Sequence, residues 1–161
     1  MPTSTVTLDN DIARPPAVVY DALTRLAQLQ GHIESSSTYR GTVDVSDDPV
    51  RVGSTYVDRT PIGRLRGEVL ALEEERRVAF RQATARGDLD VKITYDLAPT
   101  PTGTRLVRTG EITTRRWLAL VHPIVVWSTR TENRRTMDRL KDSLEAAHGA
   151  RDLESAPRRK R

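Results

Sequence analysis

The sequence predicts an α+β domain in which a curved seven-stranded antiparallel sheet wraps around one long C-terminal helix. Three observations carry that prediction. Seven segments alternate apolar and polar residues at period two, six of them in succession with only short turns between. After Arg116 the period changes to three or four residues and holds to the region of Gly149. Between the first strand and the rest, Pro15-Pro16 opens two short helical turns.

Each element follows in order. Val6, Leu8 and Ile12 share one face of a half-buried strand, which Pro15 and Pro16 stop because neither can donate to a ladder. Val19, Ala22, Leu23 and Leu26 then form the apolar stripe of a short helix, a second turn runs through Leu29, and Gly31 breaks it. Tyr39, Gly41, Val43 and Val45 alternate as the next strand, and Asp47-Asp48-Pro49 turns the chain. Ser54 to Thr60, Leu65 to Glu73 and Arg77 to Thr84 are three further strands. Leu89, Val91, Ile93, Tyr95 and Leu97 give the clearest alternation, and Pro99 to Gly103 leads into the last strand, Thr104 to Thr113. Strands joined by such short turns must run antiparallel.

The closing helix carries Val121, Val125, Thr129, Asn133, Thr136, Leu140, Leu144 and Ala147 on one stripe. It is about 25 residues long, roughly 37 Å, with Pro123 near its start or kinking it, and Gly149 as its C′ residue. A twisted sheet curves, and a straight helix across its concave face leaves space. Thr129, Asn133 and Thr136 stand where a filled interior would prefer Leu or Ile, so the pattern points to a cavity with a few hydrogen-bonding positions.

Composition narrows the function classes. The chain of 161 residues buries enough surface to need no staple. It has no cysteine, which removes disulfides, thiolate nucleophiles, iron–sulfur clusters and Cys-type zinc sites. The net charge of +4 is concentrated at the end: residues 151–161 hold five basic and two acidic side chains, residues 1–150 hold 21 and 20. The near-neutral body argues against nucleic acid as a partner, and residues 149–161 read as a basic, disordered tail after a single domain at 1–148. The N-terminal segment lacks the pattern of a secretory signal. The longest apolar run, Trp117 to Trp127, is too short to span a bilayer and contains His122 and Pro123. The expectation is a soluble cytoplasmic protein, monomeric or homodimeric.

Val52-Gly53-Ser54-Thr55-Tyr56, Arg66-Gly67-Glu68-Val69 and Arg76 to Arg81, then Tyr95 to Leu106, then Glu132-Asn133, Arg139-Leu140-Lys141 and Leu144-Glu145, follow one another in an informative order. Across residues 6–147 this chain resembles the polyketide cyclase/dehydrase branch of the SRPBCC superfamily. The resemblance implies the helix-grip, START-like fold, with a pocket for lipids, polyketides, sterols or similar molecules. None of these motifs is itself catalytic.

Candidate site residues follow from position and chemistry. Tyr39, Tyr56, Phe80 and Tyr95 suit the concave face, Trp127 the first turns of the helix, and Asn133 and Thr136 its middle. Tyrosine offers an apolar body with a hydroxyl handle. Arg108 lies on the apolar side of its strand and could hold an oxyanion through its planar fork of donors, as could an inward Arg59 or Arg81. The alternative for each arginine is a cross-strand ion pair on the outer face. His32, Asp58 and Arg59 are the candidates for proton transfer. The three histidines lack metal-ligand spacing, so neither a metal nor another cofactor is expected. Trp117 to Trp127 reads as a lid, a shallow membrane-docking surface or edge packing.

The leading expectation is a binder of a small hydrophobic ligand. A cyclase- or dehydratase-type enzyme using the same cavity is the alternative, and a protein-interaction module is the third reading.

Overall fold

Short turns force neighbouring strands to alternate in direction, and the sheet of the computed structural model, which describes residues 1–29, 31–33, 36 and 39–155, is antiparallel throughout. Its strands are β1 (Thr3–Ile12), β2 (Thr42–Val43), β3 (Thr55–Thr60), β4 (Gly63–Glu73), β5 (Arg77–Thr84), β6 (Leu89–Thr100) and β7 (Gly103–Thr114), in the spatial order β1-β7-β6-β5-β4-β3-β2. Two short helices, α1 (Pro16–Thr24) and α2 (Leu26–Leu29), follow β1. A 3-10 segment (Arg116–Val121) leads into α3 (His122–Ser155). This is the expected helix-grip fold.

The register explains how the sheet closes over one face. Val6 stands opposite Gly110, Tyr95 opposite Arg108, Phe80 opposite Ile93 and Tyr56 opposite Gly67. Period-two alternation therefore sends Val6, Leu8, Val69, Val78, Phe80, Ile93, Leu106 and Ile112 into one interior, where all are buried. β4 carries a bulge between Val69 and Ala71, a device that bends a strand and strengthens its twist. At Gly67 a Cβ would lie 2.2 Å from the Tyr56 ring, so only glycine lets that ring lie flat across the neighbouring strand.

Two expectations are corrected. The strand read from Tyr39 through Val45 contracts to two residues, because Gly41 (φ 113°) and Asp44 (φ 54°) leave the extended region on either side of Thr42–Val43. The closing helix does not end at Gly149 but continues to Ser155, with nothing within 4 Å of a Cβ built on that glycine. The basic run Arg158 to Arg161 lies outside the described residues.

The two halves of α3 do different work. Asn133, Met137, Leu140 and Leu144 are buried in sequence along one seam. Met137, a residue the sequence stripe passes over in favour of Thr136, is completely enclosed. Hydrogen bonds tie this half to β1 and the chain just after it. Arg134 donates to the Asp9 carbonyl, Lys141 to the Asp11 carbonyl and Asn10 to the Asp138 carboxylate, while the Glu145 carboxylate accepts from the Ala13 amide. At the other end, buried His122 hydrogen-bonds Ser4 and Thr114 at 2.8 Å each, pinning the start of α3 to β1 and β7. Between these anchors the N-terminal half of α3 spans the concave face without filling it.

Candidate functional site

The space left under that span is a cavity of about 450 Å³, within the range typical of small-molecule sites. Leu65, Leu89, Val91 and Ile93 form its sheet wall, Leu23, Leu26 and Leu29 close one side, and Val121, Val125, Thr129 and Thr136 face it from the helix end. The apolar residues make it a solvent for hydrocarbon; what distinguishes it is where the polar groups sit.

An aromatic row crosses the floor. Tyr56 meets Phe80 edge to face at 6.0 Å, Phe80 meets Tyr95 likewise at 6.2 Å, and the Arg108 guanidinium lies 5.5 Å above the Tyr95 ring. Cross-strand pairing builds the row, since β3, β5, β6 and β7 each contribute one member.

A hydrogen-bonded acid stands at one end. Asp58 on β3 accepts from the Thr42 hydroxyl at 2.5 Å and from the Gln82 amide at 2.6 Å; that amide also donates to the Tyr56 hydroxyl at 3.1 Å. Thr42 spends its proton on Asp58, so the Tyr39 hydroxyl, 2.8 Å away, donates to Thr42. Burial pushes the Asp58 carboxyl up to about 6 despite these two bonds, which favour the charged form. Burial, with the nearby Asp58 carboxylate adding to it, raises the Tyr56 and Tyr39 hydroxyls above the ordinary tyrosine value. A carboxyl that titrates near 6 beside an apolar cavity can take or release a proton close to neutrality.

A cation stands at the other end. Arg108 is 6% exposed, and its Nε donates to the Tyr95 hydroxyl at 3.1 Å. Asn133, 7% exposed, faces the same region from α3, and its buried amide nitrogen has no hydrogen-bond partner. Glu132, also on the cavity wall, pairs with Arg135 at 2.7 Å and accepts from Ser36.

Of the residues named from sequence, Tyr39, Tyr56, Asp58, Phe80, Tyr95, Arg108, Asn133 and Thr136 are brought together around the cavity. Three are not. His32 lies outside it, its ring bonded to Ser143 at 2.7 Å. Arg59 is exposed, because alternation that turns Asp58 inward must turn its neighbour outward. Trp127 is 69% exposed and off the wall, whereas Trp117 lines it. Arg81 pairs with Asp90 on the outer face, at 2.6 Å. Thr42, Gln82 and Glu132 were missed. The signal for Gln82 was present, since its parity matches Phe80; that for Thr42 was hidden by the irregular backbone around it.

Residues 3–145 match the family model described as polyketide cyclase / dehydrase and lipid transport. Among curated proteins, nothing matches the sequence. Several solved structures share the fold. Protein MLL2253 from Mesorhizobium loti is 23% identical with a TM-score of 0.69, the match covering 89% of this chain and 98% of that one. A norcoclaurine synthase point mutant from Thalictrum flavum, in complex with a transition-state analogue, is 9% identical with a TM-score of 0.70, covering 91% and 97%. Protein SA2116 of unknown function from Staphylococcus aureus is 16% identical with a TM-score of 0.69, covering 92% and 97%. At these identities the likeness is one of fold.

Proposed function

Because the chain belongs to the polyketide cyclase / dehydrase and lipid transport family of the SRPBCC superfamily, we propose that it binds a small hydrophobic ligand of lipid, polyketide or aromatic type in the cavity between sheet and α3, in a cytoplasmic setting. The observation that carries this reading is the cavity itself, about 450 Å³ behind walls of leucine, valine, isoleucine and aromatic side chains. Enclosing such a molecule removes apolar surface from water at about 25 cal/mol per Å², while the few polar groups fix its orientation.

The neutral fluorescent probe N-phenyl-1-naphthylamine tests it. The protein is expected to bind the probe saturably, and Thr136→Trp, which puts an indole into the cavity from α3, is expected to abolish that binding while the protein stays folded by circular dichroism. No saturable binding, or undiminished binding by the variant, refutes the reading.

Asp58 favours a second reading, proton-transfer catalysis of the cyclase or dehydratase type. A buried carboxyl held near pH 6 on the wall of an apolar cavity is suited to general acid–base work. On that reading a polyketide-like substrate is turned over with an apparent pKa near 6, and Asp58→Asn loses turnover while still binding the neutral probe.

A further inference from the structure

Arg108 is a feature of the cavity that neither hydrophobic binding nor proton transfer at Asp58 explains. Its side chain rises from β7 into an apolar enclosure, with Tyr95 beneath it. Removing a charge from water without a counter-charge is costly, and the cavity offers none. The two acids on its wall are already engaged, Asp58 by Thr42 and Gln82 at the opposite end of the cavity, Glu132 by Arg135 and Ser36. Among the described residues the only hydrogen bond Arg108 makes is through Nε to Tyr95, so its two terminal amino groups have no protein acceptor.

A second donor is directed at the same place. The Asn133 amide nitrogen is buried and unpartnered, although each such group ordinarily finds an acceptor. Gly110 shows that the two converge. A Cβ built there would lie 3.5 Å from an Arg108 terminal nitrogen, 3.9 Å from the Val6 carbonyl oxygen of the neighbouring strand and 4.0 Å from the Asn133 amide nitrogen. The space over Gly110 is thus bounded by two side-chain donors, one of them a cation, with the sheet backbone at its base and no side chain from Gly110 to fill it.

We propose that this corner is an anion subsite, and that the cavity takes an apolar acid whose carboxylate lies over Gly110 between Arg108 and Asn133, its hydrocarbon body along the Tyr95–Phe80–Tyr56 row. The inference rests on the ligand-binding reading above and narrows it to one chemical class. The planar guanidinium offers two parallel N–H donors to the two carboxylate oxygens, Asn133 supplies a third bond, and the acid brings the missing counter-charge. An alcohol of the same body can satisfy one donor and none of the charge.

Calorimetric titration at pH 8 with two matched pairs, decanoate against decan-1-ol and 1-naphthoate against 1-naphthalenemethanol, gives the acid-to-alcohol affinity ratio. The wild-type protein is expected to favour the acid by about tenfold or more in at least one pair, the scale of a charge-assisted hydrogen bond. Arg108→Met is expected to bring that ratio to within about threefold of unity. Gly110→Ala keeps the arginine and makes only ordinary van der Waals contacts, yet its methyl group occupies the subsite, so it is expected to lower the ratio as well. This variant decides the matter if Arg108→Met does not fold. Binding of alcohols and acids with equal affinity by the wild type, or an undiminished ratio in the variants, overturns the anion subsite while leaving the cavity reading intact. Failure of the wild type to bind any of the four overturns both.

Discussion

Asp58 shows how a site residue taxes the fold that holds it. Its carboxyl is raised from 3.8 to about 6 by burial, so between those values the folded chain holds a proton that the unfolded chain has released. The Asp58 contribution to stability is therefore greatest below the unfolded value, falls as pH rises through the window from about 4 to 6, and levels off above it. At 1.36 kcal/mol per pKa unit the swing is about 3 kcal/mol. Asp58→Asn removes the buried charge and keeps the Thr42 bond, but it sets an amide against the Gln82 donor, a loss of about 1 kcal/mol. The net expectation is about 2 kcal/mol of added stability at pH 8, and loss of the Asp58 share of the slope from pH 4 to 6, in urea unfolding of variant and parent side by side. A variant less stable than the parent at pH 8, or one that keeps the slope, contradicts the assignment of that slope to Asp58.

At the scale of elements, sequence periodicity located what regular backbone produces and missed what irregular backbone produces. The strands from β3 to β7 lie where the pattern puts them, within a few residues at their ends, although the bulge between Val69 and Ala71 interrupts the alternation of β4. β2 shrinks because two left-handed residues flank it, and an alternation of side-chain types carries no record of φ. The helix stripe has the right period and holds the buried Asn133, Leu140 and Leu144, but at one turn it takes Thr136, which borders the cavity, in place of the enclosed Met137. Truncating that core by Met137→Ala is expected to cost about 2–5 kcal/mol in urea unfolding. The end of α3 departs from the sequence pattern for a different reason. Glycine is common at helix termini but does not compel one, and at Gly149 the helix simply passes through, in the open. A glycine in a helix interior is weaker than alanine by about 0.5–1 kcal/mol. Gly149→Ala is therefore expected to raise helical content by circular dichroism and stability by up to about that amount. A drop in either measure means that the helix ends where the sequence pattern placed it.

Across the whole molecule, the same curvature that makes a cavity leaves its mouth edged with apolar side chains. Ile62, Trp117 and Ile124 line the cavity and are also well exposed, and Leu120 stands beside them on the 3-10 segment. Sequence reasoning picked out the run from Trp117 to Trp127 as the most apolar stretch, yet could not divide it, because facing depends on the switch from 3-10 to α geometry at His122. The division has an optical consequence. Both tryptophans are largely in water, 60% exposed at Trp117 and 69% at Trp127, but only Trp117 borders the cavity. A ligand that enters through this mouth displaces water from one indole and not the other. Titration with decan-1-ol, which neither absorbs nor quenches, is expected to shift the emission of the parent and of Trp127→Phe to shorter wavelength, and to leave Trp117→Phe without a shift. The opposite pattern, with the response residing in Trp127, would mean that apolar molecules settle on the outer face of α3, and that the hollow beneath it is closed to them.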